Sequence, residues 1–394
     1  MYIATTHELV DFAERIGGSE VLAVDTEFMR EKTYFARLCL IQVATTEVAA
    51  VVDPLAIEDL SPLFGIMQDP RTTKVFHAGS QDLEILYRVM GSPVAPVFDT
   101  QVAATLTGQP SQVGYQQLVS SLLGVRLDKA HTYTDWSARP LSREQIDYAF
   151  DDVRYLPDVY HRLRDQLESE GRMGWLAEDF ERMADPATYT VIPEEQYRRV
   201  KRASSLDRRS LAVLREVAAW RERTAQAKDL PRRWVLSDES LLEIARRAPT
   251  DEKSLAAIRG VTDQAARRYA VGVVAAVRRG LETPEAEWPR LPKRHRPAGD
   301  VSDVADMMSA LVRVRAREHG VAASLLAPRD ELERFAAGER DGSPLSSGWR
   351  RTLVGAELEA LLEGQIALRV DGGHVVVEPR GSVSDVSPSI TDGE

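Results

Sequence analysis

The chain has 394 residues, 43% of them apolar and 28% charged, with a net charge of −11. That length exceeds one ordinary core and predicts two or three domains of a globular chain. The longest apolar stretch, YAVGVVAAV at 269–277, is too short to cross a bilayer, and the N-terminus MYIATTHELVDF lacks the basic start and apolar block of a signal peptide, so a cytoplasmic protein is expected.

Strand-like runs come first. VLAVDTEF (21–28), LCLIQVATT (38–46) and VAAVVDP (48–54) are joined by short connections and suit an antiparallel meander. TKVFHA (73–78) and PVFDT (96–100) alternate with helical stretches at 80–90 and 99–107 and suit parallel additions. A mixed sheet flanked by helices follows. The single cysteine, Cys39, excludes an internal disulfide and a multi-cysteine zinc site and reads as a buried, inert thiol.

Three places in this region carry chemistry. In VDTEF, Asp25 and Glu27 lie two apart on a strand and therefore share a face. Two carboxylates in an apolar setting repel each other and lose hydration, so something must neutralise them. Converging hard oxygen ligands suit Mg²⁺ or Mn²⁺. In HAGSQD, a strand runs into Ser80 as a helix cap, which puts Asp82 in the first helical turn, where the helix dipole alone also favours an acid. In LSREQIDYAFDDVRYL, Ser142 and Gln145 make a capping box, and Ile146, Ala149, Phe150, Val153 and Leu156 form the buried stripe. Tyr148 and Asp152, four apart, share one side of that helix, Asp151 faces water, and Pro157 ends or kinks it.

From about 205 the pattern is helical only: 207–226, 237–248 and 262–280, then a Pro-containing linker at 283–299. A second helical unit at about 301–364 echoes the first, 366–379 predicts a hairpin around Asp371-Gly372-Gly373, and the tail from 381 reads as disordered. Charge is uneven. Residues 197–297 hold 24 Lys and Arg against 13 Asp and Glu, a surplus of 11, and the remainder is at −22. A basic middle between acidic flanks is either a polyanion-binding surface or a set of solvated helical faces.

Taken together, VDTEF, LCLIQVA, HAGSQDLEIL, FDTQVAATL, LDKAHTYTDWSARPL and YAFDDVRYL resemble the DEDD superfamily of 3′→5′ exonucleases, and more closely the ribonuclease D family. The Tyr148-x-x-x-Asp152 spacing resembles the tyrosine branch; Asp147 stands where the other branch has histidine. The resemblance implies an α/β ribonuclease-H-like exonuclease domain followed by two all-α HRDC-like domains. The expected divisions are an exonuclease domain at 1–170, a connecting segment at 171–205, an HRDC domain at 206–285, a linker at 286–300 and a second helical domain at 301–380.

It also implies catalytic roles for Asp25, Glu27, Asp82, Tyr148 and Asp152. Two divalent ions are expected on the four acids, Asp25 bridging them, Glu27 and Asp152 completing the first and Asp82 serving the second, with Tyr148 orienting the attacking water. The implied substrate is RNA, such as tRNA precursors, cut from the 3′ end by a monomer to nucleoside 5′-monophosphates. DNA hydrolysis by the same chemistry, or a non-catalytic nucleic-acid scaffold, are the alternatives. Thr26, Phe28 and Met29 are candidates for contacting the last nucleotide, although core packing is the simpler role for Phe28. Lys129 and Arg139 either touch substrate or fasten their loop, and Trp136 is expected to fasten it. The candidate RNA-binding basic surface is Arg198, Arg199, Lys201, Arg202, Arg232, Arg233, Arg267 and Arg268.

Overall fold

The structure is a computed structural model that describes residues 1–127, 134–291 and 301–380. Lys129, most of the expected linker and the tail from 381 lie outside the described residues.

The chain opens with β1 (Tyr2–Ile3), α1 (Thr6–Ile16), β2 (Val21–Met29), β3 (Arg37–Ala44) and β4 (Ala49–Val52). Then come α2 (Ser61–Gln68), β5 (Thr73–Phe76), α3 (Ser80–Met90), β6 (Val97–Asp99), α4 (Thr100–Ala104) and α5 (Tyr115–Leu123). α6 (Arg143–Arg154), α7 (Leu156–Ser169) and α8 (Ala177–Ala184) complete this part. Six strands form one sheet in the order β1-β4-β3-β2-β5-β6. β2, β3 and β4 are antiparallel, as their short connections predict; β5 and β6 join in parallel, and β1 pairs in parallel with β4. β1 is only two residues long, too short for any period to reveal.

Alternation along β2 sorts its side chains. Leu22 and Val24 join the core under α1, α2 and α3, and Phe28 packs against it. Val21 and Ala23 join the core on the opposite face with α4, α5 and α7. Asp25 and Glu27 share the parity of Val21 and Ala23, so the strand period directs them to that second face. β5 accompanies β2 only from Val21 to Ala23, and a bulge between Glu27 and Phe28 shifts the register against β3. Both acids therefore sit where regular pairing breaks down, a place at which bulges re-aim side chains.

Two helix starts differ from expectation. α3 is capped by Gly79 without a side-chain bond, not by Ser80, and α4 starts at Thr100 because Asp99 caps it, accepting from the amides of Gln101 (2.8 Å) and Val102 (3.1 Å), and ends at Ala104, short of the predicted 107. The Ser142–Gln145 capping box opens α6 as predicted, and the helix breaks at Tyr155 with Pro157 in the first turn of α7.

The first helical unit is α9 (Arg208–Lys228), α10 (Arg232–Val235), α11 (Asp238–Arg247), α12 (Glu252–Ala256) and α13 (Asp263–Glu282). Asp207, Ser237 and Thr262 cap the three longer helices through their side chains. α9 and α13 touch backbone to backbone at Gly280, where a Cβ would lie 2.5 Å from the Val213 Cα. This unit has its own core, and the side chain of Tyr34, from the β2–β3 connection, belongs to it.

The second unit is α14 (Ser302–Glu318), α15 (Ala323–Leu326), α16 (Arg329–Ala336), α17 (Gly348–Arg350) and α18 (Ala356–Leu362), closed by the hairpin β7 (Ile366–Asp371) and β8 (His374–Pro379). The order of long helix, four-residue helix and medium helix in α14–α16 echoes α9–α11. Gly372 and Gly373 both take positive φ, as a two-residue turn of that hairpin requires. This unit is not a bead on a linker. Met308, Leu311 and Phe335 lie in one continuous core with Leu106, Leu163 and Val153. The Ala322 amide donates to the Thr105 carbonyl (2.8 Å), Arg172 bridges the carbonyls of Leu106 and His319, and Trp175 stacks on Trp349 at 4.9 Å. Among the described residues no helix is long and apolar enough to cross a membrane.

Candidate active site

Three elements deliver four carboxylates to one locus. β2 supplies Asp25 and Glu27. Past Phe76 the chain turns sharply through Ala78, at φ +58°, and Gly79, whose missing Cβ would meet that of Phe76 at 2.4 Å. The amides of Ala78 (3.3 Å) and Gly79 (2.8 Å) donate to the Asp99 carboxylate, so one aspartate both caps α4 and holds the turn that starts α3. α3 then presents Asp82, buried, and the Thr26 hydroxyl donates to its carboxylate. α6 supplies Tyr148 and Asp152.

Burial and neighbouring charges raise all four acids. Burial, and then the charges of Asp82, Asp152 and Glu27, push the Asp25 carboxyl well above the usual range. Glu27 is pushed up to about 8 by burial and by Asp152 and Asp82. Asp152 rises to about 7 through burial and the neighbouring Asp151, partly offset by the Tyr148 hydroxyl. Burial also raises Asp82, against its bond from Thr26. Among the described residues no three acids already stand in closed ligand geometry. The donor set nonetheless fits hard divalent cations, which would relieve both burial and repulsion.

Tyr148 is backed by the buried Trp136 at 6.0 Å between ring centroids, and burial and the carboxylates of Asp152, Glu27 and Asp25 raise its hydroxyl further above the ordinary tyrosine range. Such a group donates a hydrogen bond and does not act as a free base. Two further residues escaped sequence reasoning. Gln42 pairs in register with Asp25, is fully buried, and neither its amide nitrogen nor its oxygen has a hydrogen-bond partner. Tyr115, at the start of α5, feels the charges of Asp152 and Asp25. The register of β3 and the α5 start are tertiary information with no local signal.

The other expected contacts divide. Thr26 is occupied in holding Asp82. Phe28 packs on the α1–α3 core and Met29 beside Trp136 and Tyr148. Of the two roles open to Arg139, its contacts are those of a fastener. Its Nε and Nη2 donate to Asp53 (2.6 and 2.7 Å), Nη1 to the carbonyls of Trp136 and Ala138, and Nη2 also to that of Cys39. All five guanidinium donors are spent: three tie the segment to Cys39 on β3 and to Asp53 just past β4, and two close the 134–142 segment on itself. In the basic surface, Arg232 is likewise taken up by the buried Glu222, and Arg198 is paired with Glu195. Arg199, Lys201, Arg202, Arg233, Arg267 and Arg268 are exposed.

Residues 1–168 match the 3′–5′ exonuclease family and residues 210–277 the HRDC domain. The chain is 44% identical to the ribonuclease D of Gluconacetobacter diazotrophicus over 95% of both chains. It is 42% identical to that of Acidiphilium cryptum, over 95% of this chain and 96% of the other. The crystal structure of Escherichia coli RNase D, an exoribonuclease involved in structured RNA processing, superposes with a TM-score of 0.80 at 32% identity, covering 92% of this chain and 98% of that one. Fold and matches define a 3′–5′ exonuclease that carries an HRDC domain. Within that class the chain belongs to the ribonuclease D family. It is a 3′–5′ exoribonuclease, its substrate is RNA, and membership implies use of a divalent metal.

Proposed function

We propose that the chain trims the 3′ ends of tRNA precursors and other structured RNAs, as a cytoplasmic monomer, and that Asp25, Glu27, Asp82, Tyr148 and Asp152 carry the reaction. The observation that supports this is the set of four carboxylates on three separate elements, in which Asp25 and Glu27 are buried and the charges of Asp82 and Asp152 raise their affinity for protons further. Such repulsion is retained in folded proteins chiefly where it is used.

Asp25, Glu27, Asp82 and Asp152 would hold two ions, Mg²⁺ or Mn²⁺, which supply Lewis acidity toward the attacking water and the leaving oxygen. Asp25 has the other three acids around it, which suits it to serve both ions. The Tyr148 hydroxyl, beside Asp152, positions the water for attack on the terminal phosphodiester, while Trp136 fixes the ring. Thr26 keeps Asp82 turned toward the site. The bond broken is that between the phosphorus and the 3′-oxygen of the penultimate nucleotide. The 3′-oxygen leaves with a proton and the terminal nucleotide departs as its 5′-monophosphate.

The test is a gel time course on a 5′-labelled tRNA precursor, and on DNA of the same sequence, with Mg²⁺, Mn²⁺ or EDTA. A metal-dependent ladder that shortens from the 3′ end and stops at the mature terminus supports the proposal. A precursor left intact while unstructured RNA is degraded would remove tRNA from it.

A further inference from the structure

Trp234 is 57% exposed, the one aromatic among the exposed large apolar side chains of the described residues. A tryptophan left in water loses the burial that normally fixes it. Its backbone, however, is anchored on both sides. Before it, Arg232 donates to Glu222 through Nε (2.6 Å) and Nη2 (2.7 Å), and to the Tyr34 hydroxyl (3.0 Å). After it, Val235 and Leu236 are buried, and Arg221 donates to the Leu236 carbonyl (3.0 Å). α10 thus presents Trp234 outward from a fixed base.

The surroundings are cationic. Arg233 is adjacent and exposed. The Lys201 amide donates to Asp238, four residues beyond Trp234, which brings the exposed Lys201–Arg202 turn to the α10–α11 junction. Of the nearby acids, Glu222 is neutralised by Arg232 and Asp238 by Arg221, leaving Asp229, which accepts from the Tyr34 and Phe35 amides, and Glu239 on the first turn of α11. The same α10 is bound to Tyr34, which follows Glu27 by seven residues, so the chain itself limits that separation to about 25 Å.

We propose that Trp234 is a stacking platform for a base of single-stranded RNA upstream of the scissile end, with Arg233, Lys201 and Arg202 holding the adjoining phosphates. Every base offers a π-face, so this contact is indifferent to sequence, as a trimming enzyme requires. The inference rests on RNA being the substrate, and it adds an anchoring point outside the catalytic locus.

The experiment measures binding of a labelled single-stranded RNA of roughly 16 nucleotides, in EDTA, to the full chain and to Trp234→Ala, Trp234→Leu and Trp234→Phe. Hydrolysis of a dinucleotide, the shortest substrate and the one that offers fewest bases to α10, is followed alongside with Mg²⁺. Trp234→Ala and Trp234→Leu are expected to weaken RNA binding by about 5- to 100-fold, with Trp234→Phe close to the native chain and dinucleotide hydrolysis unchanged in all three. Native-like binding by Trp234→Leu overturns the platform and leaves the RNA reading standing. A native chain that fails to bind RNA at all overturns both.

Discussion

At the scale of single residues, the site is a balance of charges held against their preference. Asp152 and Glu27 are pushed up to about 7 and about 8, and both ordinarily ionise near 4. Between those limits the folded chain binds more protons than the unfolded one, so stability falls as pH rises through that window. Asp53 does the reverse: Arg139 and Tyr2 depress it below its usual value, so its contribution is complete above about 4 and is lost only in acid. In EDTA, melting temperature is therefore expected to decline from pH 5 to pH 8.5, and addition of Mn²⁺ is expected to remove most of the decline. A flat EDTA profile would mean that the acids are not in repulsion. In the sequence, strand and helix periods place Asp25 beside Glu27 and Tyr148 beside Asp152, while singling them out as a site took the family resemblance. Asp99 and Gln42 were not legible there, since a cap that also holds a distant turn, and a cross-strand register, are set by tertiary packing.

At the scale of elements, the β2–β3 connection joins the strand that bears Asp25 and Glu27 to the HRDC core. Tyr34 is buried there, its hydroxyl donates to Glu222, and the backbone amides of Tyr34 and Phe35 donate to Asp229 at 3.1 and 3.0 Å. Glu222 is fully buried, whereas the Arg232 side chain is 35% exposed. The two partners are therefore unequal. Arg232→Ala strands a buried carboxylate and is expected to cost about 3–5 kcal/mol. Glu222→Ala leaves a guanidinium that can rehydrate and is expected to cost about 1–3 kcal/mol. Urea unfolding of the two variants measures the difference, and equal losses would contradict the buried assignment. From the sequence Arg232 read as one cation of a basic run; only the fold shows that an acid one helix earlier claims it.

At the scale of the molecule, the two helical units are attached in different ways. The HRDC unit has a core of its own and one plug from the exonuclease domain, while the second unit shares its core with α4, α5 and α7. Removing residues 301–380 would take Met308, Leu311 and Phe335 out of the shared core and break the Ala322–Thr105 and Trp175–Trp349 contacts, and the truncated chain is expected to aggregate or to melt well below the full chain. An unchanged melting temperature would show that the shared core is not structural. The helix pattern made both units visible in the sequence, but an amphipathic face does not name the surface it buries against.

The central claim is that the four carboxylates form the metal-dependent catalytic site. Its most direct test compares the native chain with Asp25→Asn, measuring melting in EDTA and in saturating Mn²⁺ beside RNA hydrolysis. The account predicts that Asp25→Asn melts above the native chain in EDTA at neutral pH, because folding no longer has to bury an acid that must either take up a proton or be charged beside three others. It predicts little stabilisation of the variant by Mn²⁺, where the native chain gains about 2.7 kcal/mol at a hundredfold excess over its dissociation constant. It also predicts RNA binding without hydrolysis. An Asp25→Asn chain that hydrolyses RNA at the native rate, or that responds to Mn²⁺ as the native chain does, would contradict it.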